Sequence, residues 1–306
     1  MNMEHLFKVF FLRFARSRMA NRWAKRYGLR LGASRFVAGE TIEQAVEAVR
    51  LLNNSGRMAT LDYLGEFVSS EAEVREAAAM CIRTLDAIHT ADIQANLSLK
   101  LTSLGLDLNP ALCQELMESI VSTASDYGLF VRIDMEDYSH CQPAIDLLRI
   151  LRQSYSNVGI VIQAYLYRSE EDVKVLGAEQ VNLRFVKGAY QESAQVAFPL
   201  KEDVDANMIK LIGMHLISGS YTAIATHDEQ MILEAQRIIA NEAIPVSQYE
   251  FQMLYGICEE LQLRLVRDEF RVRVYVPFGV DWFGYFMRRL AERPANIWFV
   301  LKNFFK

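Results

Sequence analysis

The stretch RVRVYVPFGVDWFGYFMRRLAERPAN, residues 271–296, carries two periodicities in succession. It alternates as a strand does up to Val276, breaks at Pro277 and Gly279, and then repeats with the period of a helix. A strand, a turn and a helix are predicted. On the helix Tyr285, Arg288, Arg289 and Glu292 fall at i, i+3, i+4 and i+7, so one face carries a phenol, two guanidinium groups and a carboxylate. Phe283, Phe286, Met287 and Leu290 form the apolar side. Two forked donors among aromatics, with Tyr275 at the end of the strand bordering the same space, suit a small planar anion such as a carboxylate. The plainer alternative is a solvated helix face with an Arg288–Glu292 pair.

Outward from this stretch the same theme repeats. Short apolar runs at 57–64, 95–101, 129–133, 158–162, 181–186, 221–225, 249–254 and 272–276 alternate with helical stretches such as 71–89, 110–127 and 209–216. A further helix is predicted over 40–54, with Thr41 as its N-cap. Eight strands, each followed by room for a crossover helix, predict an α/β fold, a (β/α)8 barrel of the TIM type. The barrel would span 37–306, with residues 1–36 as an added N-terminal helical segment.

Composition is consistent with that size. With 306 residues, 51% of them hydrophobic, the chain can bury about three-quarters of its unfolded surface, and it shows no repeat or low-complexity tract. The four cysteines (Cys81, Cys113, Cys141, Cys258) include no CxxC pair and read as buried thiols of a reducing compartment. The net charge of −5 hides an asymmetry: residues 1–36 hold nine basic residues against Glu4 alone. This amphipathic basic segment can pack on its own domain or lie on an anionic membrane surface. Its apolar run is too short to span a bilayer.

In a barrel of this type the chemistry sits at the C-terminal ends of the strands. The predicted ends offer Asp62 and Glu66, Lys100 and Thr102, Asp134 and Glu136, Gln163 and Tyr165, Arg184 and Lys187, Thr226 and His227, Glu250 and Gln252, and Tyr275. Singly, each could belong to a structural ion pair; together they imply a polar ligand at one mouth. No GxGxxG follows a strand, no P-loop or Gly-x-Ser-x-Gly elbow is present, and the five histidines show no metal-ligand spacing, so no metal is expected.

The segments SLKLTSLG (98–105), RIDMED (132–137), IQAY (162–165), LRFVKGAY (183–190), ATHD (225–228), YEFQMLYG (249–256) and YVPFGVDWFGYFMRRLAERPAN (275–296) together resemble the proline dehydrogenase family, in its short monofunctional bacterial branch. The resemblance implies a distorted (β/α)8 barrel holding non-covalent FAD. The implied reaction oxidises L-proline to 1-pyrroline-5-carboxylate and passes electrons to a respiratory quinone. By resemblance Arg288 and Arg289 hold the proline carboxylate, and Tyr275, Tyr285 and Leu254 pack on its ring. Lys100 and Asp134 complete the pocket floor, and Glu66 pairs with Arg288 to close it. Gln163, Arg184, Lys187, Gly188, Ala189, Tyr190, Thr226, His227, Gln252 and Glu292 match positions that hold the flavin. Lys100, Asp134 and Arg184 are expected to serve the chemistry, Arg184 by stabilising negative charge on the cofactor.

This reading predicts a cytoplasmic enzyme associated peripherally with the inner face of the membrane, with a 1-pyrroline-5-carboxylate dehydrogenase as a candidate partner and no nucleic acid. The rival is a Schiff-base aldolase using Lys100 or Lys187, since such lysines also occupy barrel strand ends. A nucleic-acid- or lipid-binding role for the basic N-terminus alone leaves the polar mouth unexplained.

Overall fold

The computed structural model describes residues 33–65 and 68–292, the last three by backbone alone. Eight parallel strands, β1 (Met58–Tyr63), β2 (Ala95–Leu99), β3 (Val131–Ile133), β4 (Val158–Gln163), β5 (Leu183–Val186), β6 (Thr222–Ala225), β7 (Tyr249–Leu254) and β8 (Val272–Phe278), pair in sequence order and close into a barrel. Helix α1 (Ile42–Asn54) precedes β1. Between successive strands come α2 (Glu71–Ala91), α3 (Pro110–Asp126), α4 (Tyr138–Arg152), α5 (Ser169–Ala178), α6 (Lys201–Ile217), α7 (Glu229–Asn241) and α8 (Glu259–Arg267). Helix α9 (Trp282–Glu292) follows β8.

The predicted (β/α)8 architecture is the observed one, and strand register sorts its side chains into two sets. Residues Leu61, Leu97, Ile133, Ile160, Phe185, Ile224, Phe251 and Val274 face outward, are at most 4% exposed, and meet the helices. The main apolar core is therefore a shell between strands and helices. The inward set is polar: Thr60, Asp62, Ser98, Arg132, Asp134, Arg184, Glu250, Gln252 and Arg273 are all buried within the barrel. Gly159 on β4 makes room for this filling, because a Cβ there would lie 2.8 Å from Arg132 Nη1 and 2.3 Å from the Asn182 carbonyl oxygen.

Helix α1 starts with a capping box. Thr41 Oγ1 accepts from Gln44 N, and Gln44 Oε1 accepts from Thr41 N. Ala45, Val46, Val49 and Leu52 then pack with Ala59, Leu61, Val274 and Val276, so α1 fills the outer groove between β8 and β1. That groove is where the helix after the eighth strand of a regular barrel would lie. Displaced from it, α9 lies at the C-terminal end of the barrel, where Trp282, Tyr285 and Phe286 cluster with Leu64 after β1 and Ile257 after β7. A 3-10 turn, Ala33–Arg35, brings Ala33, Phe36 and Val37 into the same cluster, and Trp282 Nε1 donates to Glu40 at 3.1 Å. This exchange of helices is the distortion of the barrel.

One boundary differs from expectation. The strand predicted to stop at Val276 continues to Phe278, with Pro277 opposite Asp62 of β1. Pro277 has no N–H to give but still accepts at its carbonyl, here from Ala38 N at 2.9 Å.

Candidate active site

Asp134 is the hub. It follows β3 directly, is 8% exposed, and lies between three donors. Ser98 Oγ of β2 donates to Oδ1 at 2.5 Å, Tyr275 OH of β8 donates to Oδ2 at 2.7 Å, and Arg184 Nη2 of β5 donates to Oδ1 as a buried ion pair. Burial would raise the Asp134 carboxyl, but the charges of Arg184 and Lys100 and the two hydroxyl donors outweigh it, so its pKa lies below the ordinary carboxylate value. Burial and the Asp134 charge push the Tyr275 phenol well above its ordinary value, so it remains a donor. The Arg184 guanidinium also lies over the Tyr275 ring, 5.2 Å from its centroid. Four strands thus converge on one carboxylate because alternation turns Ser98, Asp134, Arg184 and Tyr275 inward.

Beside this cluster, Lys100 Nζ lies 3.4 Å from Asp62 Oδ2, and both residues line a cleft with Tyr63, Gly65, Cys81 and Ser98. On α9, Arg288 and Arg289 are half-buried, the latter 5.0 Å over the buried Tyr285 ring. Leu254 at the end of β7 packs against the cluster that holds Tyr285. The expected substrate-pocket residues Lys100, Asp134, Leu254, Tyr275, Tyr285, Arg288 and Arg289 therefore all belong to the C-terminal half of the barrel and the helix over it. Glu66 and the Glu292 side chain lie outside the described residues, and so does the Arg288–Glu292 pair considered above.

The expected cofactor positions follow β4 to β7. Gln163 closes β4 with Oε1 buried and without a hydrogen-bond partner among the described residues, as are Arg184 Nε and the Tyr165 hydroxyl. Gly188 has φ +113°, and a Cβ there would fall 2.2 Å from the Tyr165 ring. Ala189 and Tyr190 after it are exposed. Thr226 N donates to Gln252 O at 3.1 Å, and His227 Nε2 accepts from Leu254 N at 3.0 Å, which places the proton of a neutral His227 on Nδ1.

One placement corrects the sequence reading. Glu250 is not at the mouth. It is the second residue of β7 and sits deep in the barrel, bonded to Arg273 at 2.8 Å. Lys187 does sit at the mouth, but between carboxylates, 2.6 Å from Asp205 and 3.0 Å from Asp228. The aldolase reading weakens for the same reason. A Schiff-base lysine works as a free amine in apolar surroundings, whereas Lys100 and Lys187 are both ion-paired. Ser98 was missed, although it opens the SLKLTSLG segment and has inward parity two residues before Lys100.

A (β/α)8 barrel with a buried carboxylate–guanidinium cluster at the C-terminal ends of its strands has the site layout of a barrel enzyme. The chain belongs to the proline dehydrogenase family, whose model, described as proline dehydrogenase, matches residues 45–302. It is 50% identical to "Proline dehydrogenase 1" of Bacillus subtilis strain 168 over 97% of this chain and 98% of that protein. It is 43% identical to "Proline dehydrogenase" of Deinococcus radiodurans, covering 90% of each. Its fold matches a crystal structure of proline utilization A (PutA) from Bdellovibrio bacteriovorus inactivated by N-propargylglycine, with TM-score 0.80 and 26% identity, over 85% of this chain and 32% of that one. The chain is thus an oxidoreductase of a short, monofunctional type.

Proposed function

We propose that this enzyme oxidises L-proline to 1-pyrroline-5-carboxylate using a non-covalently held FAD and delivers the electrons to a membrane quinone. The observation that carries the reading is the Asp134–Arg184–Tyr275 cluster, buried at the end of the barrel against which α9 packs. It offers cations for a carboxylate and an aromatic wall for a pyrrolidine ring.

The residues present fit a flavin. Gln163 Oε1 on β4 and Arg184 Nε on the neighbouring β5 are a buried acceptor and a buried donor awaiting partners, the pairing that the polar edge of a flavin ring can take. Gln163, Arg184, Gly188, Ala189, Tyr190, Thr226, His227, Gln252 and Glu292 would hold it, with Lys187 exchanging Asp205 or Asp228 for a phosphate. When bound, FAD accepts a hydride from the proline ring carbon beside nitrogen.

The chain's own groups do the rest. Arg288 and Arg289 hold the carboxylate through forked donors. Tyr275, Tyr285 and Leu254 exclude water from the ring. Lys100 and the arginines disfavour an ammonium beside them, so the bound amine is neutral and its lone pair can assist hydride departure. Asp134, kept ionised, fixes the Arg184 guanidinium where negative charge develops. Glu66 in this reading closes the pocket by pairing with Arg288.

The proposal extends to location. The basic residues 1–36 would bring a cytoplasmic enzyme to the anionic inner face of the membrane. Among the described residues no helix is long and apolar enough to cross it. This chain is 29% identical to the "Bifunctional protein PutA" of Escherichia coli and spans 24% of it. The partner this reading proposes is a 1-pyrroline-5-carboxylate dehydrogenase. The test is the visible spectrum of the purified protein before and after L-proline is added without oxygen. A yellow protein bleached by proline is expected; a colourless protein, or a flavin that proline leaves oxidised, overturns the reading.

A further inference from the structure

Glu250 and Gln252 are two residues apart on β7 and share its inward face. The Glu250 carboxylate is held from three sides. Oε1 accepts from Gln252 Nε2 at 2.6 Å and from Arg273 Nε at 2.8 Å, while Oε2 accepts from Tyr221 OH at 2.8 Å. Arg273 is anchored in turn, Nη1 donating to the Ala59 carbonyl of β1 at 2.7 Å. Burial opposes the ionised form, but the Arg273 charge and the donors from Arg273, Gln252 and Tyr221 bring the carboxyl down to about 2. An ionised carboxylate can only accept.

That restriction fixes a group at the mouth. A glutamine amide can offer either a donor or an acceptor by turning over, but beside Glu250 only its NH2 end fits, so the carbonyl oxygen of Gln252 must point away from Glu250. The neighbouring inward positions on β6 are Ala223 and Ala225, whose small side chains leave space beside Gln252. We infer that Glu250 is a positioning residue. Clamped by Arg273 and Tyr221, it locks the Gln252 amide so that position 252 presents a hydrogen-bond acceptor to an N–H donor of the planar heterocycle bound at the mouth. The inference rests on the flavin reading above and adds to it a reason for a buried acid that touches neither substrate nor cofactor. A purely structural Glu250–Arg273 pair would instead leave cofactor affinity independent of Glu250.

The two roles separate in FAD titrations of the apoprotein, read alongside urea midpoints. Gln252→Met keeps size and removes the acceptor, and should raise the FAD Kd about tenfold, the worth of one buried hydrogen bond. Gln252→Glu sets two carboxylates against each other and should weaken FAD binding at least as much. The double variant Glu250→Gln, Gln252→Glu exchanges donor and acceptor while preserving total charge, and should restore the Kd to within about threefold of wild type. The single Glu250→Gln variant, whose amide can turn either end toward Gln252, releases the lock and should weaken FAD binding by up to about tenfold, a loss that a merely structural role would not produce. Wild-type affinity in Gln252→Met, or a double variant as weak as Gln252→Glu alone, would overturn the inference. If Gln252→Glu does not fold, Gln252→Met and Glu250→Gln decide it together, and wild-type affinity in either overturns the inference. A wild-type protein that binds no FAD is a different outcome, and sinks the flavin reading itself.

Discussion

Asp134→Asn should destabilise the protein without changing its shape. The substitution replaces one oxygen by NH2, so Ser98 and Arg184 keep an acceptor and the Tyr275 hydroxyl can turn to accept. What is lost is the negative charge beside an Arg184 guanidinium that is 6% exposed. Removing one partner of a buried ion pair costs about 3–5 kcal/mol. Because the hydrogen-bond geometry survives, about 3 kcal/mol is expected for Asn, whereas Asp134→Ala also strands two hydroxyls and should reach the upper end. Urea unfolding followed by tryptophan fluorescence measures this. The Asp134 pKa is depressed in the folded state, so its stabilisation is present above the unfolded carboxylate value and is lost as pH falls through the folded one. The wild-type advantage over Asn should therefore hold from pH 8 to about 4 and shrink only below that. An unchanged midpoint at pH 7, or an advantage gone by pH 6, would show that Arg184 is neutralised by something other than Asp134.

Arg288→Lys and Arg289→Lys preserve charge and lose the fork, and each should lower kcat/KM for proline by roughly 30- to 1,000-fold, about 2–4 kcal/mol; near-normal values would remove them from the carboxylate site. His215, fully buried between Thr222 Oγ1 at 2.8 Å and the Val181 carbonyl at 3.1 Å, has its pKa lowered by burial to about 4. The unfolded chain takes up that proton near pH 6.5 and the native one does not, so wild-type stability should fall by about 3 kcal/mol between pH 6.5 and 4. His215→Gln should flatten that part of the pH profile of urea midpoints, and an equal slope would refute the assignment. Gly188→Ala should cost more than about 2 kcal/mol and lower FAD affinity, since its Cβ would fall 2.2 Å from the Tyr165 ring at a φ of +113°; an unchanged thermal midpoint would mean that the β5 loop can rearrange.

The barrel was legible because its strands alternate. In VRVYV the apolar residues belong to the outer shell and the polar ones to the interior, so one period reported both the strands and the side of the barrel that would be charged. Helix α6 was read as starting at 209, eight residues late, because its first two turns, KEDVDANM, are mostly polar and the apolar stripe strengthens only beyond them. Alternation gives the facing of a side chain but not its height, so Glu250 was placed at the rim when it lies in the floor. Nothing local revealed that α1 would occupy the groove beside β8 or that α9 would cross the mouth. Those contacts join residues more than 200 positions apart, such as Trp282 and Glu40. Nor could motif reading foresee Lys187 between Asp205 on α6 and Asp228, the N-cap of α7.

A charged barrel interior is costly unless its groups are paired, since each buried ion forfeits hydration worth several kcal/mol. The pairing here is layered. Glu250, Arg273 and Tyr221 close on one another near the floor, while Asp134, Arg184, Ser98 and Tyr275 do so above. Arg132 between them is satisfied by the Ile160 carbonyl and by Asn182, yet burial and the Arg184 charge still pull its pKa down to about 9. Cohesion comes from the apolar shell outside the strands, which leaves the interior free to be polar. The floor network is complete within itself, whereas the upper layer retains an unused acceptor on Gln163 and an unused donor on Arg184. Within the barrel interior, these two unused groups lie toward the level where a ligand can supply the missing partners.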